Sequence, residues 1–290
     1  MSGYIEITDS LMGEVARLSP SERRKVLKIL GKQEYDRCAD DLHYFLDHTQ
    51  HLVPYVYTRD EKPLYTCNMC VERGEFNPHM FHRLKDHLKN RHDINHADSR
   101  QIRAYFTELP TVRPFPYDLP YIKPIAETWL NEQIVLVPKS RDMVATWQIV
   151  AYYTWDSYFH KGRQNFFQSE KAGKAKSLVR RAEFILKQMP RFLQQHKFIY
   201  GVGEANSGQL IIQGIESEII GLPQGPDQIR MHHPSGVFMD EAAFQVQAGE
   251  TFAAIKPAIQ AGGRITLVSS PNPGFFQLAC QDKLSEESNS

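Results

Sequence analysis

Short apolar runs recur along the second half of the chain and are separated by longer mixed segments. The apolar runs predict buried strands, because a strand covered on both faces of a sheet is apolar throughout. The longer segments predict helices, at 146–159 and 171–188. Strands are expected at 134–137, 164–168, 236–239 and 264–268, with several shorter ones between 198 and 221. This alternation predicts an α/β fold, a parallel sheet with helices on both faces.

The first part of the chain predicts fewer regular elements. The segment 19–30 predicts a short helix with a serine cap and a proline in its first turn. Residues 35–58 predict a second helix and then an extended piece that ends in 55–57. A proline-rich connector, 109–120, follows further along and leads into the strand-rich half.

The first predicted strand runs into a basic, hydroxyl-bearing turn, 138–146, which can cradle phosphates. A phosphate loop ordinarily reads G-x-x-x-x-G-K-[ST]. When this turn is aligned on Thr146, the two glycine positions hold Lys139 and Val144, and the lysine position holds Ala145. Lys139, at the front of the loop, can reach back over the phosphates, and Thr146 keeps the hydroxyl that ligates magnesium. An ordinary basic turn after a strand is the alternative.

A second strand, 236–239, ends in the paired carboxylates Asp240 and Glu241. Asp240 would hold magnesium through water, and Glu241 would orient or deprotonate an attacking water. Acidic pairs also occur at helix starts, where the helix dipole favours them. A third strand, 264–268, leads into the polar turn 269–274. Three such junctions predict a nucleotide site at the carboxyl ends of the strands.

Three stretches of the chain resemble the large terminase subunits, the DNA-packaging motors of tailed bacteriophages. The stretch 137–147 resembles their early-lysine phosphate loop, and 266–275 resembles their coupling motif. The third stretch, 219–244, contains the carboxylate pair, and the similarity as a whole covers roughly residues 35 to 278. That family usually has glycine where Val144 stands and often glutamine where Asp142 stands.

The resemblance implies a P-loop NTPase-like fold that uses ATP and Mg²⁺. It implies that Lys139 and Arg141 contact phosphates and complete a catalytic set with Glu241. Thr146 and Asp240 would serve the Mg²⁺, and Ser269 and Ser270 would sense the γ-phosphate. The nucleotide-binding residues expected on this basis are Pro138, Lys139, Ser140, Arg141, Asp142, Met143, Val144, Ala145, Thr146, Ser269 and Ser270.

As a member of that family, the chain would hydrolyse ATP to move double-stranded DNA into a procapsid, in the host cytoplasm. Its partners would be double-stranded DNA, the portal protein and the small terminase subunit, and it would act as a homo-oligomeric ring. Large terminases also carry a nuclease domain after the ATPase, and the chain stops about where that domain would begin, so hydrolysis without nuclease activity is expected. Two alternatives remain: a degenerate nucleotide site in a zinc-containing DNA- or protein-binding scaffold, and a helicase-like ATPase.

Cysteines and histidines cluster between the N-terminal segment and the connector. Cys67 and Cys70 form a C-x2-C pair, and four histidines follow at positions 79, 82, 87 and 92. Pairing the cysteines with His87 and His92 gives C-x2-C-x16-H-x4-H, with both histidines near one helical face and a zinc ion as the expected metal. This segment resembles the C2H2 zinc fingers, which favours that set over one with His82 and His87. A redox dithiol would need a thioredoxin-like βαβ context, which the pattern does not predict here.

The balance of charged residues limits how the chain could bind nucleic acid. The chain has 34 basic and 34 acidic residues, so any contact with DNA must come from a local patch. The segment 171–181, with five cations and no acid, is the candidate, and a solvated helix face is the alternative. The N-terminus lacks a signal-peptide pattern, and no apolar run approaches the roughly 20 residues that cross a bilayer. A soluble, intracellular protein without a membrane partner is expected.

Together these observations predict a P-loop NTPase-like sheet with a small helical region before it and a zinc-finger insertion. The regions expected are an N-terminal helical region at 1–62, a C2H2-like zinc finger at 63–95, a connector that helps to bind adenine at 96–133, a P-loop ATPase core at 134–280 and a disordered tail at 281–290.

Overall fold

The computed structural model describes residues 8–48, 53–54, 64–73, 75, 79–95, 98–108, 112–113, 115–140, 143–189, 193–202, 208–230 and 232–281. The chain divides into two compact units. One combines Met1–Thr49 with Pro116–Ser290, and the other is Gln50–Phe115. None of the described helices combines the length and apolar character that a bilayer crossing requires.

The described helices are α1 (Asp9–Arg17), α2 (Pro20–Asp40), α3 (Leu42–His48), α4 (Asn68–Glu72), α5 (Leu84–His92), α6 (Ser99–Ala104), α7 (Ile122–Asn131), α8 (Ala145–Phe159), α9 (Ala172–Gln188), α10 (Asp227–Arg230), α11 (Ala248–Gln260) and α12 (Phe275–Cys280). The strands are β1 (Val53–Pro54), β2 (Leu64–Cys67), β3 (His79–Met80), β4 (Phe106–Glu108), β5 (Val112–Arg113), β6 (Ile134–Pro138), β7 (Gln164–Ser169), β8 (Phe198–Val202), β9 (Gly208–Ile212), β10 (Ser217–Pro223), β11 (Gly236–Asp240) and β12 (Arg264–Ser269). Among the described residues, 3₁₀ turns lie at Phe81–Arg83 and Ala242–Phe244.

The larger unit is built on a seven-stranded sheet with the order β6-β12-β11-β7-β10-β9-β8. The first five strands in this order are parallel, and β9 and β8 continue the sheet antiparallel. The strands and helices predicted from the apolar runs are found with bounds that differ by at most two residues, and the predicted α/β fold is confirmed. Because β6, β11 and β12 are parallel neighbours, their carboxyl ends meet at one edge of the sheet.

Helix α8 is buried on nearly all sides, as its apolar sequence requires. Tyr153 in its middle is fully buried, and its hydroxyl donates to the Val237 carbonyl in β11 at 3.0 Å. A Cβ atom at Gly236 would overlap the ring of Tyr153 in α8, and it would also lie 2.6 Å from Asn165 Oδ1 in β7. Only glycine therefore lets α8 approach the sheet this closely. This packing fixes where the first turn of α8 lies relative to the end of β11.

Helix α2 is longer than its sequence pattern predicts. Its start is as expected, because Ser19 caps the helix in a reciprocal capping box with Glu22. The predicted end at residue 30 is wrong, since the helix continues through the buried Gly31 to Asp40. The reason is packing on α8, where the rings of Tyr35 and Phe159 are in contact, with centroids 4.9 Å apart and planes tilted by 50°. Tertiary contacts here outweigh the helix-breaking tendency of glycine.

The smaller unit contains a three-stranded antiparallel sheet, in the order β3-β2-β4, and the short pair of β1 and β5. Its buried cluster joins the two neighbouring cysteines to apolar side chains of α5, α6 and β4: Cys67, Cys70, Leu84, Leu88, Ile102 and Phe106. The extended piece predicted at 55–57 lies outside the described residues, as does the predicted tail beyond Gln281.

Candidate functional site

The carboxyl ends of β6, β11 and β12 bring the predicted phosphate loop, carboxylate pair and polar turn together. Ser269 in β12 pairs with Pro138 in β6, and Val268 pairs with Asp240 in β11. The Lys139 backbone N–H donates to the Ser269 carbonyl at 2.9 Å, which holds the start of the loop against the end of β12. The three segments therefore form one continuous surface at this edge.

Lys139 forms an ion pair with Glu241 across this surface. Its Nζ donates to Glu241 Oε1 at 2.8 Å, with the lysine side chain 10% exposed and the glutamate side chain 35% exposed. Burial disfavours the charged carboxylate, but the hydrogen bond and the positive charge of Lys139 outweigh it, so the pKa of Glu241 lies below its usual range. Glu241 is therefore ionised at neutral pH and able to accept a proton or a hydrogen bond.

Thr146 and Asp240 form the second contact between the two halves. The Thr146 hydroxyl donates to Asp240 Oδ1 at 2.9 Å. Burial raises the pKa of Asp240, and the Thr146 hydrogen bond and the charge of Arg181 oppose that rise. A hydroxyl and a carboxylate in contact are the type of oxygen donors that Mg²⁺ prefers.

Two residues of the site have a left-handed backbone, which is uncommon outside glycine. Val144 has φ 56° and ψ 4° and immediately precedes α8. Glu241 has φ 52° and ψ 47° and immediately precedes the 3₁₀ turn after β11. Val144 is the position of the second glycine in an ordinary phosphate loop, so the backbone there has the glycine-type conformation without the glycine. Such residues persist only where the surrounding structure holds them.

Ser269 and Ser270 contact Oε2 of Glu241, the carboxylate oxygen that Lys139 does not bind. The Ser269 hydroxyl lies 3.4 Å from Glu241 Oε2, and the Ser270 backbone N–H donates to the same oxygen at 3.3 Å. Both glutamate oxygens are therefore engaged, Oε1 by a lysine and Oε2 by the end of β12. The side chain has a defined orientation at this edge of the sheet.

The remaining predicted residues of the loop lie near these contacts or outside the described residues. Pro138 ends β6, Ala145 is buried at the start of α8, and the Ser140 N–H contacts Met143 Sδ at 3.4 Å. Arg141 and Asp142 are not among the described residues.

Several residues of this edge were not predicted from the sequence. Arg181 in α9 lies over the ring of Trp147, 5.1 Å from its centroid, and its charge acts on Asp240. Gln245 Nε2 donates to the Asp240 carbonyl at 2.8 Å, and Asn272 Nδ2 donates to the Ala243 carbonyl at 3.1 Å. A glutamine and an asparagine placed within five residues of the motif residues were the available signal.

A second cluster of chemically competent side chains lies in the smaller unit. The ligand atoms of Cys67, Cys70, His87 and His92 all lie within 4.8 Å of one another. Both sulfur atoms are buried, and His92 Nε2 is 3.4 Å from Cys67 Sγ and 3.3 Å from Cys70 Sγ. His87 Nε2 is 3.3 Å from Cys70 Sγ. His82, the alternative ligand, is exposed and is not a member of this group.

Three sulfur–nitrogen separations in this cluster are close to those of a tetrahedral zinc site. Zinc–sulfur bonds of about 2.3 Å and zinc–nitrogen bonds of about 2.0–2.1 Å place sulfur and nitrogen about 3.5 Å apart in a tetrahedron. The observed sulfur–nitrogen separations of 3.3–3.4 Å agree with this value. Burial lowers the pKa of His87, which favours the neutral imidazole that a metal requires. The ring of His79 contacts that of His87, with centroids 4.2 Å apart and planes tilted by 43°.

The basic segment 171–181 does not form a uniform cationic patch. Lys171 and Lys174 pair with Glu170, at 3.8 Å and 2.6 Å. Arg180 lies over the Tyr200 ring, 6.0 Å from its centroid. One carboxylate offsets part of this charge, and the side chains of both lysines stay more than half exposed, so a DNA contact by this segment stays a prediction.

No family model matches the chain, and no curated protein matches it. Among solved structures, it is similar to the HK97 bacteriophage large terminase, at 14% identity and a TM-score of 0.46 over 61% of this chain and 38% of that one. It is similar to the large terminase of the thermophilic bacteriophage D6E in complex with ATP-γ-S, at 14% identity and 0.44 over 58% and 42%. A third is the large terminase ATPase domain of Thermus phage P74-26, at 13% identity and 0.36 over 49% and 61%.

The chain spans less than two thirds of the length of each of these structures. Their identities are all below 15% and their TM-scores all below 0.5, so they carry no information on the activity of this chain or on its functional residues. In its fold, the chain is similar to bacteriophage large terminases and their ATPase domains.

Proposed function

We propose that the chain is the ATPase part of a DNA-packaging motor, and that the edge formed by β6, β11 and β12 is its ATP site. One observation carries the proposal: Lys139 and Thr146, from the loop after β6, contact Glu241 and Asp240, at the end of β11, at 2.8 Å and 2.9 Å. A cation, a hydroxyl, a buried carboxylate and an ionised carboxylate are the groups that phosphoryl transfer to water requires.

Each of these groups has a distinct part in the proposed reaction. Lys139, with Arg141, would neutralise phosphate oxygens, and the Ser269 and Ser270 turn would contact the γ-phosphate side of the site. Glu241 would orient the attacking water and accept its proton as hydrolysis proceeds. Its lowered pKa keeps the carboxylate ionised at neutral pH, so that it can accept a hydrogen bond from that water. The ion pair with Lys139 would then exchange for contacts to the phosphates and the water. The packing of α8 on the sheet keeps these groups in place.

The donor set at Thr146 and Asp240 fits Mg²⁺, because both supply hard oxygen atoms and one of them is charged. A magnesium ion held by these residues would supply positive charge to offset that of the phosphate oxygens. The charge of Arg181 supports the ionised state of Asp240. These residues would hold the ion from the protein side.

We further propose that Cys67, Cys70, His87 and His92 bind Zn²⁺ as a structural centre. The four side chains supply all four ligand atoms of a tetrahedral metal ion. The metal would join α5 to the end of β2 and to α4. The buried cluster around them has few apolar residues, so the metal would supply part of the folding free energy of this unit.

The motor function rests on the resemblance of the segments 137–147, 219–244 and 266–275 to the large terminases. On that basis the proposed substrate is ATP, and the proposed partners are double-stranded DNA, a portal protein, a small terminase subunit and further copies of the chain in a ring. The proposed location is the host cytoplasm at the procapsid portal.

A Glu241→Gln variant tests the ATP site. It keeps the size of the side chain and removes the base, so the turnover number is expected to fall by about 10²–10⁴-fold while ATP still binds. Glu216→Gln is the matched control, because Glu216 is also a left-handed glutamate near a lysine, 3.7 Å from Lys161, but lies in an exposed turn. Equal turnover in the wild type and in Glu241→Gln would contradict the assignment.

One observation favours a second candidate, a nucleotide site that has lost its activity. The backbone at Val144 needs a left-handed conformation that valine adopts poorly, and Ala145 stands at the usual lysine position. A chain that folds, retains its metal centre and binds no ATP would support this binding-scaffold function and exclude the motor.

A further inference from the structure

The turn after β11 holds the proposed catalytic carboxylate in an uncommon backbone conformation. Glu241 is left-handed, with φ 52° and ψ 47°, and the 3₁₀ turn Ala242–Phe244 follows at once. The turn closes on itself through the Phe244 N–H, which donates to the Glu241 carbonyl at 3.0 Å. A non-glycine residue keeps such a conformation only if neighbouring groups hold it.

The groups that hold this turn act on Ala243, two residues beyond Glu241. The Ala243 N–H donates to the Ser269 hydroxyl at 3.1 Å. The Ala243 carbonyl accepts from Asn272 Nδ2, also at 3.1 Å. Both polar groups of Ala243 are thus bonded to side chains at the end of β12 and in the loop that follows it. The donor at the carbonyl must be the amide nitrogen of Asn272, because an amide oxygen cannot donate.

Asn272 is itself held stiffly. It stands between Pro271 and Pro273, and a residue before proline is restricted to extended conformations. Gly274, at φ 127°, then starts α12, whose Phe276 is buried in the same apolar cluster as Ala242. The loop is therefore attached to the core on both sides of Asn272, and its amide is a donor with a defined position.

The same loop also contacts the side chain of Glu241. Ser269 and Ser270 engage Oε2, while Ser269 and Asn272 engage the backbone at Ala243. The carboxylate of Glu241 and the backbone of Ala243 are thus both held by the segment 269–272. A shift of that segment moves both together.

We propose that Asn272 is a positioning residue for Glu241, acting through the Ala243 carbonyl to keep the carboxylate aligned for the attacking water. This inference deepens the proposed ATPase function and rests on it. The amide does not touch the nucleotide in this proposal. Its effect is on the orientation of the base, and so on turnover rather than on the affinity for ATP.

Two variants of Asn272 separate positioning from packing. Asn272→Ala removes the amide, and Asn272→Asp keeps its shape but places a carboxylate, which cannot donate, against the Ala243 carbonyl. Both are expected to lower kcat by about 10- to 100-fold, since small displacements of a catalytic group cost this much. The dissociation constant for ATP should change by less than about twofold, because the phosphate contacts are unaltered. Gln195→Ala is the control, since Gln195 Nε2 also donates to a distant carbonyl, that of Gly31, at 3.0 Å.

The double variant Asn272→Ala with Glu241→Gln tests whether Asn272 acts through Glu241. A purely structural function of Asn272 would lower kcat equally with and without the Glu241 carboxylate. If Asn272 acts through Glu241, Asn272→Ala lowers kcat in the wild type and has less than about a twofold effect on the residual rate of Glu241→Gln. Hydrogen exchange at 241–245 should also accelerate in Asn272→Ala and stay unchanged in Gln195→Ala.

The outcomes distinguish this proposal from the proposed function. Wild-type turnover in both Asn272 variants, or equal losses with and without Glu241, would overturn the positioning function while leaving the ATPase intact. Loss of ATP binding in the Asn272 variants would also overturn it, because the contact would then serve the nucleotide. A wild-type chain that binds no ATP would overturn the ATPase, and the positioning function with it.

Discussion

The left-handed backbone at Val144 leads to a prediction with an unusual sign. At most positions, replacing a residue by glycine lowers stability more than replacing it by alanine, because glycine adds freedom to the unfolded chain. At Val144, with φ 56°, the folded state already has the conformation that glycine prefers. We therefore expect Val144→Gly to be more stable than Val144→Ala. Both variants lack the valine side chain, so the free energy lost with that side chain nearly cancels when glycine is compared with alanine.

The magnitude follows from two opposing contributions. A left-handed conformation costs an L-residue such as alanine about 1–2 kcal/mol. Glycine destabilises the folded state by about 0.4–1 kcal/mol relative to alanine through the entropy of the unfolded chain. The strain is the larger contribution, which leaves glycine about 0–1.6 kcal/mol more stable at this position, and about 0.8 kcal/mol at the midpoints of the two ranges. A difference of 1 kcal/mol corresponds to a shift of Tm of about 2–4 °C in a protein of this size class.

Urea unfolding of the nucleotide-free protein, followed by circular dichroism, measures this difference. Val246 supplies the control, because it is 92% exposed and is not among the residues with positive φ. There, glycine should be less stable than alanine by about 0.4–1 kcal/mol. The reasoning predicts opposite signs at the two positions. Glycine less stable than alanine at both positions would refute it.

Three further predictions follow from the contacts. Removing zinc with a chelator, or replacing Cys70 by serine, should unfold the unit that contains the cysteines, and α5 should then lose its protection from hydrogen exchange. Mass spectrometry of the intact protein should find one zinc ion per chain. Full protection of α5 in the metal-free protein would contradict the zinc centre. Thr146→Val should raise the Mg²⁺ concentration needed for half-maximal turnover by about tenfold, and Thr146→Ser should restore it, whereas an unchanged Mg²⁺ dependence would exclude Thr146 as a metal contact. The lowered pKa of Glu241 makes its ion pair stabilising above the ordinary glutamate pKa of 4.5, and this contribution is lost as pH falls through the lowered pKa. The stability difference between wild type and Glu241→Gln, measured by urea unfolding from about pH 6 down to about pH 3.5, should therefore shrink with acidification, and a constant difference would count against the ion pair.

The parallel strands were the most predictable part of the fold. Each is a short apolar run, and its length favours a strand buried on both faces over a buried helix segment, which would be longer. The approach of the two motif segments was also predictable, because the ends of parallel strands share an edge. The spacing of Cys67, Cys70, His87 and His92 likewise predicted their approach in space.

The rest depended on tertiary contacts that leave no periodic pattern. The length of α2 is set by packing of Tyr35 on α8, against the local signal of Gly31. Asn272 and Ala243 are linked by one side chain-to-backbone hydrogen bond across 29 residues, and neither residue type is unusual in a loop. The ring contact between His79 and His87 depends on how β3 pairs with β2. A strand of two residues is too short for its sequence to predict that pairing. Such contacts require the folded chain.

The most direct test of the ATP site is steady-state hydrolysis and equilibrium binding of ATP by the wild type beside Lys139→Ala. Lys161→Ala is the matched control, because it removes a lysine from another lysine–glutamate pair, an exposed one with Glu216 at 3.7 Å. The account predicts hydrolysis by the wild type and by Lys161→Ala, and a loss of about 100-fold or more in Lys139→Ala. Equal hydrolysis by Lys139→Ala and the wild type, or a wild type that neither binds nor hydrolyses ATP, would contradict it.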